Sequence, residues 1–210
     1  MQNNNLLKKA MLAMLLCVAM PYVNAQIAHI GDILCTTGVY VSPAEYEASG
    51  LEAMGVIFYV DATGQHGWAV ALEDAGNFKW DNVDYDTPLP NFTSIRAAIY
   101  DMDGMFNTQE VLDYGAINNR SYPAFEALDV DYGWYLPAIG QLNLLYGNLV
   151  EVNDGLAAAG GTTFVMNSSW TYWSSTEYNT YYAWCLSNSG KISYYEKDSF
   201  SHRVRGVRNF

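Results

Sequence analysis

Two short apolar runs near the front of the chain constrain the fold most. Met54–Val60 (MGVIFYV) and Gly67–Glu73 (GWAVALE) are rich in β-branched and aromatic residues, and the polar stretch Asp61–Gly67 that joins them carries glycines at 64 and 67. Runs of this length read as buried strands, and a glycine-bearing polar segment between two of them reads as a hairpin turn. Ile33–Val41 reads as a further strand ahead of the pair. The front of the chain therefore has to build a sheet with one face on a core.

The middle changes period. Phe92, Ile95, Ile99 and Met102 recur at helical spacing, and Asn107 with Glu110 has the form of a capping box before a segment that Gly115 closes. Ser121 is placed to cap another helix, with Pro123 in its first turn. From Pro137, the apolar positions Ile139, Leu142, Leu145 and Leu149 line one face, and Val152, Leu156 and Ala159 continue it until Gly160-Gly161. Asn153-Asp154 and Gly155 weaken that run, so two helices or a bend are expected. Strands return in the tail, at Tyr172–Ser175, Tyr181–Ser187, Lys191–Tyr195 and Val204–Arg208, with a hairpin turn at Ser187–Gly190. Strands, then helices, then strands predict an α+β class with antiparallel sheets and short helices packed on them, in one domain over 26–210.

The first 25 residues read as a secretory signal peptide. Lys8 and Lys9 precede an apolar stretch too short to span a bilayer, and Val23-Asn24-Ala25 offers a small-residue cleavage site. The expected location is exported: periplasmic, cell-surface or extracellular. The formal net charge of −12 becomes −14 when the two lysines leave. That acidity disfavours nucleic acid and anionic membrane surfaces as partners, and no other stretch is long enough to span a membrane. Cys35 and Cys185 remain, either bridged, as an oxidising compartment allows, or as two buried thiols.

The tail holds the recognition signal. Nine aromatics lie between Tyr172 and Arg203, interleaved with Ser, Asn, Thr and Asp. Tyrosine offers a large rigid contact surface at low entropic cost, and the small polar residues offer adaptable hydrogen bonds, the mixture that binding loops favour. A meander of the last strands would gather loops 176–180 and 195–202 at one end. Tyr178, Asn179, Tyr181, Tyr182, Tyr194, Tyr195, Asp198, Phe200 and His202 are the candidate ligand-binding residues. Trp134, Trp173 and Trp184 read as core or hinge residues, with the lining of a ligand cleft as the competing reading.

Catalytic and metal patterns are weak. Asp101, Asp103, Asn107 and Glu110 lack the spacing of a calcium loop and read as caps and solvated acids. Asp81, Asp84 and Asp86 read as surface acids. His29, His66 and His202 are isolated from metal-type spacing. Ser174 and Ser175 read as hydrogen-bonding residues at a strand end; a triad with His202 and Asp198 is the competing reading, and such sets are judged by geometry. Arg203, Arg205 and Arg208 read as partners of inter-sheet carboxylates, or as a hold for an anionic ligand. No cofactor is implied.

Several segments together resemble a known family. Trp134–Leu142 (WYLPAIGQL), Tyr172–Thr176 (YWSST), Tyr182–Trp184 (YAW) and Val204–Phe210 (VRGVRNF) look like those of a C-type-lectin-like domain. More narrowly, they resemble the family named for the C-terminal domain of the Legionella collagen-like adhesin, together with similar secreted domains of Bacteroides-type bacteria. Gly31–Leu34, Gly55–Tyr59, His66–Leu72 and Trp80 look like the front of the same domains. The resemblance implies a C-type-lectin-like fold with both termini paired in one sheet, and binding through the loop end of the second sheet. It also implies a link to diversity-generating retroelements, which would leave Tyr, Asn, Ser, Asp and His at mutated positions; residues 178–202 are rich in those types. The calcium-lectin Glu-Pro-Asn and Trp-Asn-Asp motifs are missing, and Trp80-Asp81-Asn82 has the wrong order. Calcium-dependent sugar binding is therefore not expected. The formylglycine-generating enzymes share the general fold but need an active-site cysteine pair, which Cys35 and Cys185 do not evidently copy. The resulting expectation is a non-catalytic adhesin- or receptor-like domain for a protein or glycan ligand. The alternative is a structural subunit of a surface or fimbrial assembly, and an enzyme of the formylglycine-generating type stands third.

Overall fold

The structure, a computed structural model, describes residues 26–83, 85–165, 170–187, 189–198 and 202–210. Residues 1–25, read above as a signal peptide, and Asp84 and Phe200 lie outside the described residues. Among the described residues the chain forms two five-stranded sheets and six α-helices, an α+β arrangement.

The front strands fold largely where the apolar runs place them. β3 (Ala53–Val60) and β4 (Gly67–Ala71) pair antiparallel across the turn. In that turn the Asp61 carboxylate accepts from the Thr63 and Gly64 N–H groups, and Gly64 takes φ +73°. Ile33–Val41 is not one strand. It breaks into β1 (Ile33–Cys35) and β2 (Tyr40–Val41), because Gly38 at φ +80° turns the chain between them. The first sheet runs β10-β4-β3-β1-β2, where β10 is Val207–Asn209. First and last strands share a sheet but are not neighbours in it, since β10 pairs with β4 and β1 with β3.

The second sheet runs β5-β9-β6-β7-β8, with β5 Gly76–Asn77, β6 Thr171–Asn179, β7 Tyr182–Ser187, β8 Ile192–Glu196 and β9 His202–Val204. β6, β7 and β8 form an antiparallel meander, while β9 returns to the far side of β6 and pairs with it in parallel. The sheet is therefore mixed, a correction to the expected all-antiparallel arrangement. The expected strand Val204–Arg208 is also two strands in two sheets, because the chain leaves β9 at Val204 and enters β10 at Val207. Arg205, buried at this crossing, donates to the carbonyls of Ala71, Leu72 and Thr162 and lies over the Phe164 ring.

Six helices fill the space around the sheets: α1 (Pro43–Ser49), α2 (Ile95–Ala98), α3 (Gly104–Asn118), α4 (Pro123–Glu126), α5 (Ile139–Gly147) and α6 (Leu149–Ala158). α3 starts earlier than the Asn107–Glu110 pattern implies. Asp103 is its N-cap and accepts from the Phe106 N–H, while Asn107 is buried and donates to Asp101 and Ser175. The helix also runs through Gly115 and stops at Asn119 in the left-handed region. Tyr122, not Ser121, occupies the N-cap of α4. The expected break after Pro137 is present, but at Asn148; Gly155 lies inside α6.

Strand alternation sorts the core into layers. Ile33, Val56, Phe58 and Val70 of the first sheet meet Leu142, Leu145, Val152 and Leu156 of the helices and Tyr172, Trp184 and Leu186 of the second sheet. The opposite face of the second sheet, with Trp173, Ala183 and Cys185, packs on Trp80, Tyr122, Phe125 and Leu136. Removing one tryptophan side chain of about 200 Å² from water at ~25 cal/mol per Å² contributes roughly 5 kcal/mol. Buried Trp173 and Trp184 therefore anchor the second sheet from both sides. Cys35 in the first sheet and Cys185 in the second are both free and buried.

Candidate functional site

The end of the second sheet where β6 and β8 finish gathers most of the residues singled out in the sequence. β6 and β8 run in the same direction, so the turn after Asn179 and the segment after Glu196 come together, and the Lys197 N–H donates to the Tyr181 carbonyl at 3.0 Å. The Asn179 carboxamide oxygen accepts from the Tyr181 and Tyr182 N–H groups at 2.9 and 3.0 Å, which fixes the turn. That oxygen shapes the backbone and is not presented to a ligand.

On one face of the sheet the rings interlock. Tyr178 stacks on Tyr194 with centroids 4.1 Å apart, Tyr182 meets Tyr194 edge-on at 5.5 Å, and Tyr178 and Tyr194 both sit edge-on to buried Trp184. Such pairs contribute about 0.5–1.5 kcal/mol each beyond burial. Tyr178 and Tyr182 are half-buried in this stack, whereas Tyr194 is 46% exposed. Beside it, Ile95, Trp184, Ile192 and Tyr194 line an open cleft of 470 Å³. Tyr181 and Tyr195 stand out at 57% and 46% exposure, and Asp198 is exposed as well.

His202 departs from the expectation. It is buried on the opposite face, stacked on Trp173 at 4.2 Å, with Tyr195 edge-on against it. Burial pushes its pKa down to about 4, so it is neutral at pH 7. It belongs to the packing under the rim, because β9 lies beside β6 inside the sheet.

A buried ion pair, unmarked in the sequence, holds this end together. The Lys197 ammonium and the Glu177 carboxylate are both fully buried and in contact. Lys197 also donates to the Tyr85 carbonyl at 2.9 Å and lies over the Trp80 ring, and its carbonyl accepts from Trp80 and Asp81. Glu177 accepts from the Thr87 hydroxyl at 2.6 Å, and its carbonyl accepts from the Phe92 N–H. Burial pushes the Glu177 carboxyl up against the pull of Lys197. One lysine thus ties the rim turn, β6 and the 80–92 segment into a unit. The only sequence signal was a lone Lys in a strand-ending position, which ordinarily reads as solvated.

The remaining candidates take structural places. Ser174 and Ser175 are buried; Ser174 donates to the Trp184 carbonyl and Ser175 accepts from Asn107. Asp101 accepts from Asn107 and Thr176, tying α3 to β6. Asp81 is buried rather than a surface acid, and its carboxylate accepts from the Val83 and Tyr85 N–H groups. Arg203 pairs with Asp74 at 2.9 Å, and Tyr172 donates to the same carboxylate. Arg205 approaches Asp74 at 3.6 Å, and Asp74 lies between β4 of the first sheet and β5 of the second, so the two arginines meet an inter-sheet carboxylate as expected. Arg208 lies over the half-buried Trp134 ring. His29 and His66 are exposed beside Asp32 and Asp61. Among the described residues there is no cluster of metal-ligating side chains, and no helix is long and apolar enough to cross a membrane.

No family model and no curated protein matches the chain. Among solved structures, the chain is similar to a fimbrial protein from Bacteroides ovatus, at 18% identity and a TM-score of 0.64, over 86% of this chain and 48% of that one. The chain therefore spans about half the length of that protein. At this identity the likeness is one of fold alone.

Proposed function

We propose that this chain is an exported, non-catalytic recognition module of C-type-lectin-like type, which grips a protein or glycan ligand at a cell surface through the tyrosine-lined end of its second sheet. The observation that carries the reading is the outward display of Tyr181, Tyr194 and Tyr195 on a rim held by the buried Lys197–Glu177 pair. A rigid display loses little entropy on binding, so aromatic contact area converts efficiently to affinity. The signal-peptide pattern and the fold shared with a fimbrial protein support a surface location.

The test is a triple variant, Tyr181→Ala/Tyr194→Ala/Tyr195→Ala, assayed on a printed glycan array and a panel of immobilised matrix proteins. Wild-type protein should retain at least one class of ligand, and the variant should lose more than about tenfold in affinity, equivalent to ~1.4 kcal/mol. Its melt should stay cooperative, with Tm lower by several degrees, because Tyr194 and Tyr195 also pack on Tyr178, Trp184 and His202. A variant that unfolds, or that binds as well as wild type, removes the reading.

A second reading makes the chain a structural subunit, with the same rim seated on a neighbour in a surface assembly. The fimbrial likeness over half of a longer protein favours it. Co-purification with the products of adjacent genes, lost in the triple variant, would support this reading over a free receptor.

A further inference from the structure

The tail arginines leave one cation unused. Arg203 and Arg205 meet Asp74, whereas Arg208 meets no carboxylate among the described residues. It sits on β10 opposite Ala69, two residues before Phe210, so both side chains leave the same face of the first sheet. That face carries Leu34, Tyr40, Ile57 and Ala69, while the helices pack on the other one through Ile33, Val56, Phe58 and Val70. A cavity of about 250 Å³ opens here, with Leu34, Tyr40, Met54 and Phe210 as apolar walls and Arg208 and Thr36 as polar ones. No Asp or Glu is among the described residues that line it. The half-buried guanidinium lies over the Trp134 ring at 5.4 Å. Its Nη1 touches the Met54 sulfur at 3.3 Å and its Nε reaches the Asn209 carbonyl at 3.4 Å. A thioether sulfur is a weak acceptor and the carbonyl bond is long. Nη2 has no acceptor among the described residues.

We propose that this cavity binds a small organic carboxylate, its charge on Arg208 and its compact apolar body on Leu34, Tyr40, Met54 and Phe210. The sequence has 22 acidic residues against 10 basic ones, so carboxylates to pair with Arg208 are not scarce, yet the fold leaves it open. A guanidinium fork matches a carboxylate in two parallel bonds, and charge-assisted bonds of this kind are about twice as strong as neutral ones. The Trp134 ring and the Met54 sulfur leave the cation less screened than in water, which favours an anion over a neutral ligand. Size sets the other limit. Drug-sized sites run from about 300 to 1,000 Å³, so this cavity suits one ring or a short branched chain. The same chemistry occurs on a free aromatic acid and at the C-terminus of a peptide that ends in an apolar residue. The inference is independent of the tyrosine-rim reading, because the cavity lies on the first sheet and the rim on the second.

The test is isothermal titration of the purified protein with phenylacetate, with its uncharged amide phenylacetamide, and with the dipeptide N-acetyl-alanyl-phenylalanine. Phenylacetate or the dipeptide is expected to bind with a Kd of about 1 mM or tighter. Phenylacetamide should bind at least about tenfold more weakly than phenylacetate, because it cannot form the charge-assisted pair. Arg208→Gln should weaken the acids by about tenfold or more and leave the amide unchanged, and Arg208→Lys should fall between, since lysine keeps the charge but not the fork. The variant Tyr181→Ala/Tyr194→Ala/Tyr195→Ala should bind the acids as wild type does, so failure of either reading leaves the other measurable. Whichever acid binds tighter identifies the source, free acid or chain terminus, and either result supports the site. The comparison of acid with amide uses the wild-type protein, so it holds even where Arg208→Gln fails to fold. No binding of either acid at roughly 20 mM, equal affinity for acid and amide, or wild-type affinity in Arg208→Gln overturns the proposal.

Discussion

Lys197 shows how much one side chain can decide. A lone lysine near a strand end reads as solvated, yet here it is fully buried against Glu177 and joins three segments. Breaking such a pair leaves an unpaired buried charge. Lys197→Ala is therefore expected to cost about 3–5 kcal/mol in urea denaturation, and Lys197→Met/Glu177→Leu to recover much of it. His202 gives a pH signature of the opposite kind. Its native pKa lies near 4 and its ordinary value at 6.5. Between those values the unfolded chain binds a proton that the native chain excludes. This contribution is complete above pH 6.5 and is lost as pH falls towards 4. By that linkage wild type should lose ~3 kcal/mol more than His202→Gln between pH 7 and pH 4. Other carboxylates are common to both proteins and cancel in the difference. Equal slopes would show that His202 is protonated or solvated in the native state.

Among elements, α6 is set by a close approach that the sequence masks as weakness. Gly155 reads as a helix breaker, but a Cβ there would lie 2.4 Å from the Gly31 carbonyl oxygen and 2.7 Å from Val56 Cγ1. The glycine lets α6 press against the loop ahead of β1 and against β3. Gly155→Ala should destabilise by roughly 1–3 kcal/mol as overpacking, reversing the usual gain from replacing a helical glycine. Gly147→Ala, in α5 with open space around it, should be neutral or stabilise by up to about 1 kcal/mol. Thermal denaturation of the two variants should move in opposite directions. The strand at the C-terminus taught a related lesson. Its alternating pattern was legible, but the Arg205-Gly206 crossing between sheets was not, because strand propensity is the same in either sheet.

At the scale of the molecule, the final residues close both sheets. β9 and β10 belong to different sheets, and buried Arg205 bonds carbonyls from β4, from the residue after it and from the segment after α6. The planar guanidinium fork of arginine holds its donors in fixed directions and here meets three carbonyls at once. The crossing sets β9 beside β6, and β6 fixes the turn where the tyrosines emerge. The rim is thus coupled to the closure of the fold.

The sequence by itself determined the strand–helix–strand order, the first hairpin, the burial of Trp173 and Trp184 and the tyrosine-rich rim, because each is written in local periodicity and composition. Only the tertiary structure decided that β9 runs parallel to β6, that His202 lies inside, that Cys35 and Cys185 stay apart as free thiols and that Lys197 is buried. Those outcomes depend on which distant segments meet, and residue spacing along a chain carries no record of contacts ninety positions apart, such as that between Thr87 and Glu177.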